Sequence, residues 1–122
     1  MFLELSHTRL SAYQHSKLLI LECYRITRDF PDCEKFAMTQ QIRRAALSVH
    51  LNLAEGASRK SETERRRFFE IARGSLIEID TAFDIALSLN YMHNEKVNEL
   101  SELIITTFKL FTGLIGKSDT QK

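Results

Sequence analysis

The densest concentration of potential chemistry in this chain is cationic. Arg59, Lys60, Arg65, Arg66 and Arg67 crowd one short stretch, with Ser61 and Glu64 between them. Guanidinium forks match phosphate oxygens, and free amides at a helix start add to such a site. The same run also suits a solvated helix face, with Glu62 and Glu70 at ion-pairing distance along one helix. Nucleic-acid contact and ion pairing, within or between subunits, therefore both stay open. No aromatic signature of an RNA-binding module accompanies the arginines.

Other reactive groups are scattered. One Glu-x-x-His pair, Glu4 and His7, has di-iron spacing, but a bundle site needs a second pair on another helix and the sequence has none. His15, His50 and His93 have no cysteine or histidine at ligand spacing. Cys23 falls in an apolar helical pattern, as a packing residue does. Cys33 stands between Asp32 and Glu34, whose charge opposes a thiolate. Asp80 and Asp84 are one helical turn apart, the ordinary pattern of a solvated face. No serine elbow or glycine-rich phosphate loop is present. The expectation is a protein without catalytic activity, metal or other cofactor.

The elements that carry these residues are helical. The chain has 122 residues, one proline and four glycines, and is 43% hydrophobic and 27% charged. That composition suits one folded domain over 1–122, with 1–8 and 117–122 loosely ordered. Apolar periodicity predicts helices over 9–30, 38–57, 62–89 and 95–115. Pro31 ends the first and Gly56 with Ser58 the second; Ser61 and Glu64 have capping-box spacing before the third, and Asn94 is a cap for the fourth. Short loops between long helices imply an all-α, antiparallel up-down four-helix bundle. The expected core stripes are Leu10, Tyr13, Lys17, Ile20, Leu21 and Tyr24 on helix 1; Ile42, Ala45, Ala46, Val49 and Leu53 on helix 2; Phe68, Ile71, Ala72, Ser75, Leu76, Ile79, Phe83, Ala86 and Leu87 on helix 3; and Val97, Leu100, Ile104, Phe108, Phe111, Leu114 and Ile115 on helix 4.

Helices 1 and 2 show a second apolar face. It comprises Ala12, Leu19, Cys23, Ile26 and Phe30 on helix 1, and Leu47, Leu51 and Ala54 on helix 2, bordered by Arg43, Arg44 and Glu55. A helix that covers only its own core is polar on its far side, so this face predicts burial by another copy of the chain. Charge is also uneven. Residues 43–73 hold eight basic and four acidic groups, and residues 74–122 hold four basic and seven acidic. Such asymmetry suits an anionic partner or complementary faces meeting between subunits. Two cysteines make no disulfide framework, residues 1–10 no signal peptide, and no stretch is apolar enough to span a membrane. The cytoplasm is the expected location.

The blocks Phe30-Pro31, Glu34-Lys35-Phe36, Gln41 to Val49 (QIRRAALSV) and Asn52 to Gly56 (NLAEG), followed by Arg59, Ser61, Glu64, Phe68, Ala72, Gly74-Ser75 and Glu78, resemble a bacterial four-helix-bundle family. That family is named for the intervening sequences of 23S ribosomal RNA genes and is also labelled ribosomal protein S23. The resemblance covers roughly residues 9–115. It implies a homopentamer shaped like a hollow barrel and no enzymatic activity. It also implies a distant likeness to the accessory variability determinant of diversity-generating retroelements, a basic pentamer associated with a reverse transcriptase and nucleic acid. Two positions depart from the family pattern: His50 stands where proline is frequent, and Ala37 where glycine is usual. Two readings follow. In one, a ring-shaped accessory protein binds RNA or DNA through Arg59, Lys60, Arg65, Arg66 and Arg67. In the other, an oligomeric scaffold binds another protein and its arginines serve subunit contacts.

Overall fold

The computed structural model describes Leu3, Leu5 and residues 10–120, with side chains as far as Lys117. The Glu4–His7 pair and the expected first turn of helix 1 at Arg9 lie outside these residues. Four helices follow one another: α1 (Ser11–Thr27), α2 (Met38–Ala57), α3 (Glu62–Ser88) and α4 (Asn94–Thr120), with one 3-10 turn at Asp32–Glu34 between α1 and α2. Each helix packs on its neighbours around a ring, α1 on α2, α2 on α3, α3 on α4 and α4 on α1. This is the antiparallel bundle expected from short connections. One end carries the 28–37 and 89–93 connections, and the other carries the 58–61 turn.

Helix boundaries have local causes. The amides of Asp29 and Phe30 fold tightly onto the carbonyls of Ile26 and Thr27, both at 3.2 Å, so α1 closes before the expected residue 30. The Ser61 hydroxyl accepts from the Glu64 amide at 3.3 Å and starts α3. At the other end of α3, Asn90 takes φ 62°. The Tyr91 amide reaches the Ala86 carbonyl at 2.9 Å and the Asn90 amide the Leu87 carbonyl at 3.0 Å, a Schellman closure. Helix α4 runs past Gly116, its expected end, to Thr120. No glycine here adopts positive φ, and a helical glycine costs only about 1 kcal/mol relative to alanine, so Gly116 alone does not stop the helix.

The expected stripe of α2 is buried throughout. On α3 Phe69 joins the expected Phe83 in the core, with Phe68 half-buried and Ile71 exposed; on α4, Phe108 sits at the margin. Helix α1 is turned over relative to expectation. Ala12, Ser16, Leu19, Cys23, Ile26, Thr27 and Phe30 face inward, while Lys17 and Leu21 face out. Leu19, Cys23, Ile26 and Phe30 therefore belong to the subunit's own core and not to an outer face. Ser16 and Thr27 decide the matter. Each hydroxyl bonds a carbonyl of its own helix, Ser16 to Tyr13 at 3.0 Å and Thr27 to Cys23 at 2.7 Å. Two residues that look polar in a periodicity count thus lie in the core without penalty.

Small residues bring α2 and α3 together. At Gly56 an added Cβ would lie 2.8 Å from the Phe68 Cβ and 2.9 Å from the Phe69 ring. The Ser75 hydroxyl donates to the Ser48 hydroxyl at 2.9 Å across the same interface.

Candidate nucleic-acid interface and oligomer surface

The five cations of the 59–67 stretch gather at the 58–61 turn and the start of α3, yet they do not form five free charges. Arg59 pairs with Glu55 at 2.5 Å and lies over the Phe68 ring, 5.1 Å from its centroid. Arg65 turns back into the chain, where Nη1 donates to the carbonyls of Arg59 at 2.8 Å and Lys60 at 2.7 Å. It thereby satisfies carbonyls that α2 and its turn leave open. Arg66 donates from Nε to Glu70 at 3.0 Å. Lys60 and Arg67 are exposed and have no acidic partner among the described residues. The outward cationic site thus reduces to Lys60 and Arg67, beside the first turn of α3.

The residues that carry the family resemblance mostly hold the subunit together. Gln41 donates to Glu78 at 3.1 Å. Arg43 donates to the Thr27 hydroxyl at 2.9 Å and to the Tyr24 carbonyl at 3.3 Å, and stacks 4.7 Å from the centre of the Tyr24 ring. Asn52 donates to the Ser48 carbonyl and hydroxyl at 2.9 and 3.0 Å. Arg43 and Glu55, both expected to border a subunit interface, are therefore engaged inside one chain. Arg44, Leu47 and Leu51 remain exposed, and Ala54 is half-buried beside them.

Two apolar seams lie on the outside of the bundle. Leu21 of α1 and Leu47 and Leu51 of α2 form one; Leu51 is 62% exposed. The other is a groove between α3 and α4, about 350 Å³, lined by Ile77, Ile105 and Phe108 with Asp80 and Lys109 at its edge. It adjoins a more polar stretch of the same seam that Asp80, Asp84, Val97 and Ser101 line. The second apolar face expected on α2 supplies half of the first seam. The groove has no such signal: Phe108 is expected in the α4 core, and Ile77 has no apolar side chain three or four positions away on α3.

The remaining reactive groups serve packing. Burial pushes the Cys23 thiol up to about 12, with the Glu22 charge adding to the effect. Ser16 Oγ lies 2.7 Å from His50 Nδ1 and 3.0 Å from the Tyr13 carbonyl. Ser16 is wholly buried, so the pair fastens α1 to α2 where a nucleophile would need access. The Tyr91 hydroxyl donates to Glu34 at 2.8 Å, and that bond raises its pKa. Among the described residues, no three of His, Cys, Asp and Glu come together as metal ligands, and no helix is long and apolar enough to cross a membrane.

The fold has a solved relative. A protein of unknown function from the S23 ribosomal protein family of Bacteroides thetaiotaomicron superposes with a TM-score of 0.76 over 85% of this chain and 97% of that one, at 18% identity. At that identity the likeness concerns the fold alone. No curated protein matches the chain. The model of the family described as 23S rRNA-intervening sequence protein matches residues 8–113, which takes in α1 to α3, the 58–61 turn and α4 as far as residue 113, and the chain belongs to that family.

Proposed function

We propose that this chain is a non-catalytic subunit that works as a homo-oligomer. The observation that carries the reading is the pair of exposed apolar seams on a bundle whose own core is already complete. Leu21, Leu47 and Leu51 on one side, and Ile77, Ile105 and Phe108 on the other, keep 36–62% of their surface exposed in the monomer, and that surface is removed from water when copies meet. Five copies is the number that the resemblance to pentameric relatives supports. Light scattering at micromolar concentration is expected to yield a mass several times 14.1 kDa. Leu51→Glu is expected to lower that mass while helical circular dichroism stays unchanged, because a charge is placed in a dry contact and no core residue is touched. A wild-type monomer at this concentration refutes the reading.

A second reading, contact with RNA or DNA, is supported by the position of Lys60 and Arg67. They are outward cations at the start of α3, where free amides also favour phosphate. The family's description, which ties it to an intervening sequence of ribosomal RNA genes, supports the same direction. The two readings are compatible, since an oligomer repeats this pair once per subunit.

A further inference from the structure

We propose that the α3/α4 groove of one subunit receives the α1/α2 seam of a second copy, in a head-to-tail contact with the two bundles side by side and pointing the same way. This rests on the self-association reading and specifies its geometry. The first support is charge. Beside Leu21, Leu47 and Leu51, the exposed cations Lys17, Arg28 and Arg44 have no acidic partner among the described residues. Beside Ile77, Ile105 and Phe108, the exposed anions Asp80, Asp84 and Glu102 have no basic partner there either. The α3/α4 strip also carries Lys109 at its edge and Arg73 over the Phe108 ring, so its charge is mixed with an acidic excess. That excess complements the three unpaired cations of the α1/α2 strip, which repel a copy of themselves.

The second support is position along the bundle. The Arg43–Thr27 and Ser16–His50 bonds fix α1 against α2. Gln41–Glu78 and Ser48–Ser75 fix α2 against α3, and Arg73–Thr112 fixes α3 against α4. These levels place Arg28 and Arg44 toward the end that carries the 28–37 and 89–93 connections. Asp80, Asp84 and Glu102 lie toward the same end, and both apolar strips lie at mid-height. A parallel arrangement therefore sets the arginines against the carboxylates while leucines meet isoleucines. An antiparallel one turns Arg28 away from the three carboxylates and sets only Lys17 against them. In the parallel arrangement Lys17 lies toward the opposite end, and Lys109, next to Phe108 at mid-height, has a long flexible stem that lets its ammonium group reach water. A heterologous contact of this kind, repeated, closes a ring or grows a filament.

The test uses two surface variants of the full chain, Leu51→Glu and Ile105→Glu, each at a position at least half exposed, so that the fold is spared. Each alone is expected to run as a monomer, because every contact in the assembly uses one altered seam. An equimolar mixture is expected to give a species of two subunits, joined by the one intact pair of seams. If either variant alone forms dimers, the seams pair with themselves and the proposal fails. If Ile105→Glu assembles like wild type, or the mixture stays monomeric while wild type assembles, the contact lies elsewhere and the proposal fails although self-association stands. A monomeric wild type overturns both. The orientation is read from charge reversal: Arg28→Glu with Arg44→Glu, or Asp80→Lys with Asp84→Lys, weakens association by roughly tenfold or more. The chain with all four reversals recovers it. Failure of that recovery overturns the parallel register.

Discussion

Cys23 and Cys33 show how far one residue's chemistry depends on where the chain puts it. Cys33 is exposed at the 3-10 turn, and Cys23 is sealed between helices. A thiol reagent at neutral pH is expected to label one site quickly, at Cys33, and to reach Cys23 only as the protein unfolds. Equal rates at the two would contradict the packing of α1. Burial holds the Cys23 pKa near 12 against an ordinary 9.0, so the folded state keeps a proton that the unfolded chain releases. Its contribution to stability is complete below about pH 9 and is lost as pH rises toward about 12. The melting temperature should fall across that window, and Cys23→Ala should flatten the fall. Residue types announced much of this behaviour, but not the partners. Arg59, Lys60, Arg65, Arg66 and Arg67 look equivalent in the sequence. Arg65 differs because its guanidinium meets two carbonyls across a turn whose geometry exists only after α2 and α3 pack.

At the scale of elements, four helices and their order were legible because the apolar period is long and the punctuation is local: Pro31, the Ser61 cap and the 89–93 turn. Two things were not. The inward face of α1 is one, since that helix is apolar on both sides and buried Ser16 and Thr27 disguise the true stripe. The extent of α4 is the other, since a glycine that keeps helical dihedrals does not end a helix. Glycine also marks the tightest contact between elements. Gly56→Ala pushes a methyl group to 2.8 Å from Phe68 Cβ, which is fixed to the α3 backbone and cannot swing aside. It should destabilise by about 1–3 kcal/mol, as overpacking does. Gly74→Ala meets nothing within 4 Å and should stabilise by roughly 0.5–1 kcal/mol through helix propensity. Denaturant titration of both variants decides this: similar effects of the same sign would show that α2 and α3 are farther apart than the structure places them.

At the scale of the whole molecule, subunits that stand parallel in a ring bring every 58–61 turn to one rim. On the proposed ring Lys60 and Arg67 recur around that rim, and phosphate contacts that are each weak would add through multivalency. Contacts of this type hold the backbone without reading bases, so single-stranded RNA, structured RNA and duplex DNA should compete with little regard for sequence. Binding should weaken steeply with salt, with a log–log slope of about −0.7 per phosphate neutralised on single strands. Lys60→Ala with Arg67→Ala is the informative variant. Neither side chain has an acidic partner among the described residues, so the pair can be removed without loosening the bundle. Replacing Arg65 instead would cut its bonds to the Arg59 and Lys60 carbonyls and confuse lost stability with lost affinity. The double variant should flatten the salt slope while its mass by light scattering stays that of wild type. If wild type fails to bind any of the three nucleic acids at about 50 mM salt, where counterion release favours it most, the rim has no phosphate partner. If the double variant binds as well as wild type, the phosphates are held by another surface, and Lys60 and Arg67 serve only solvation.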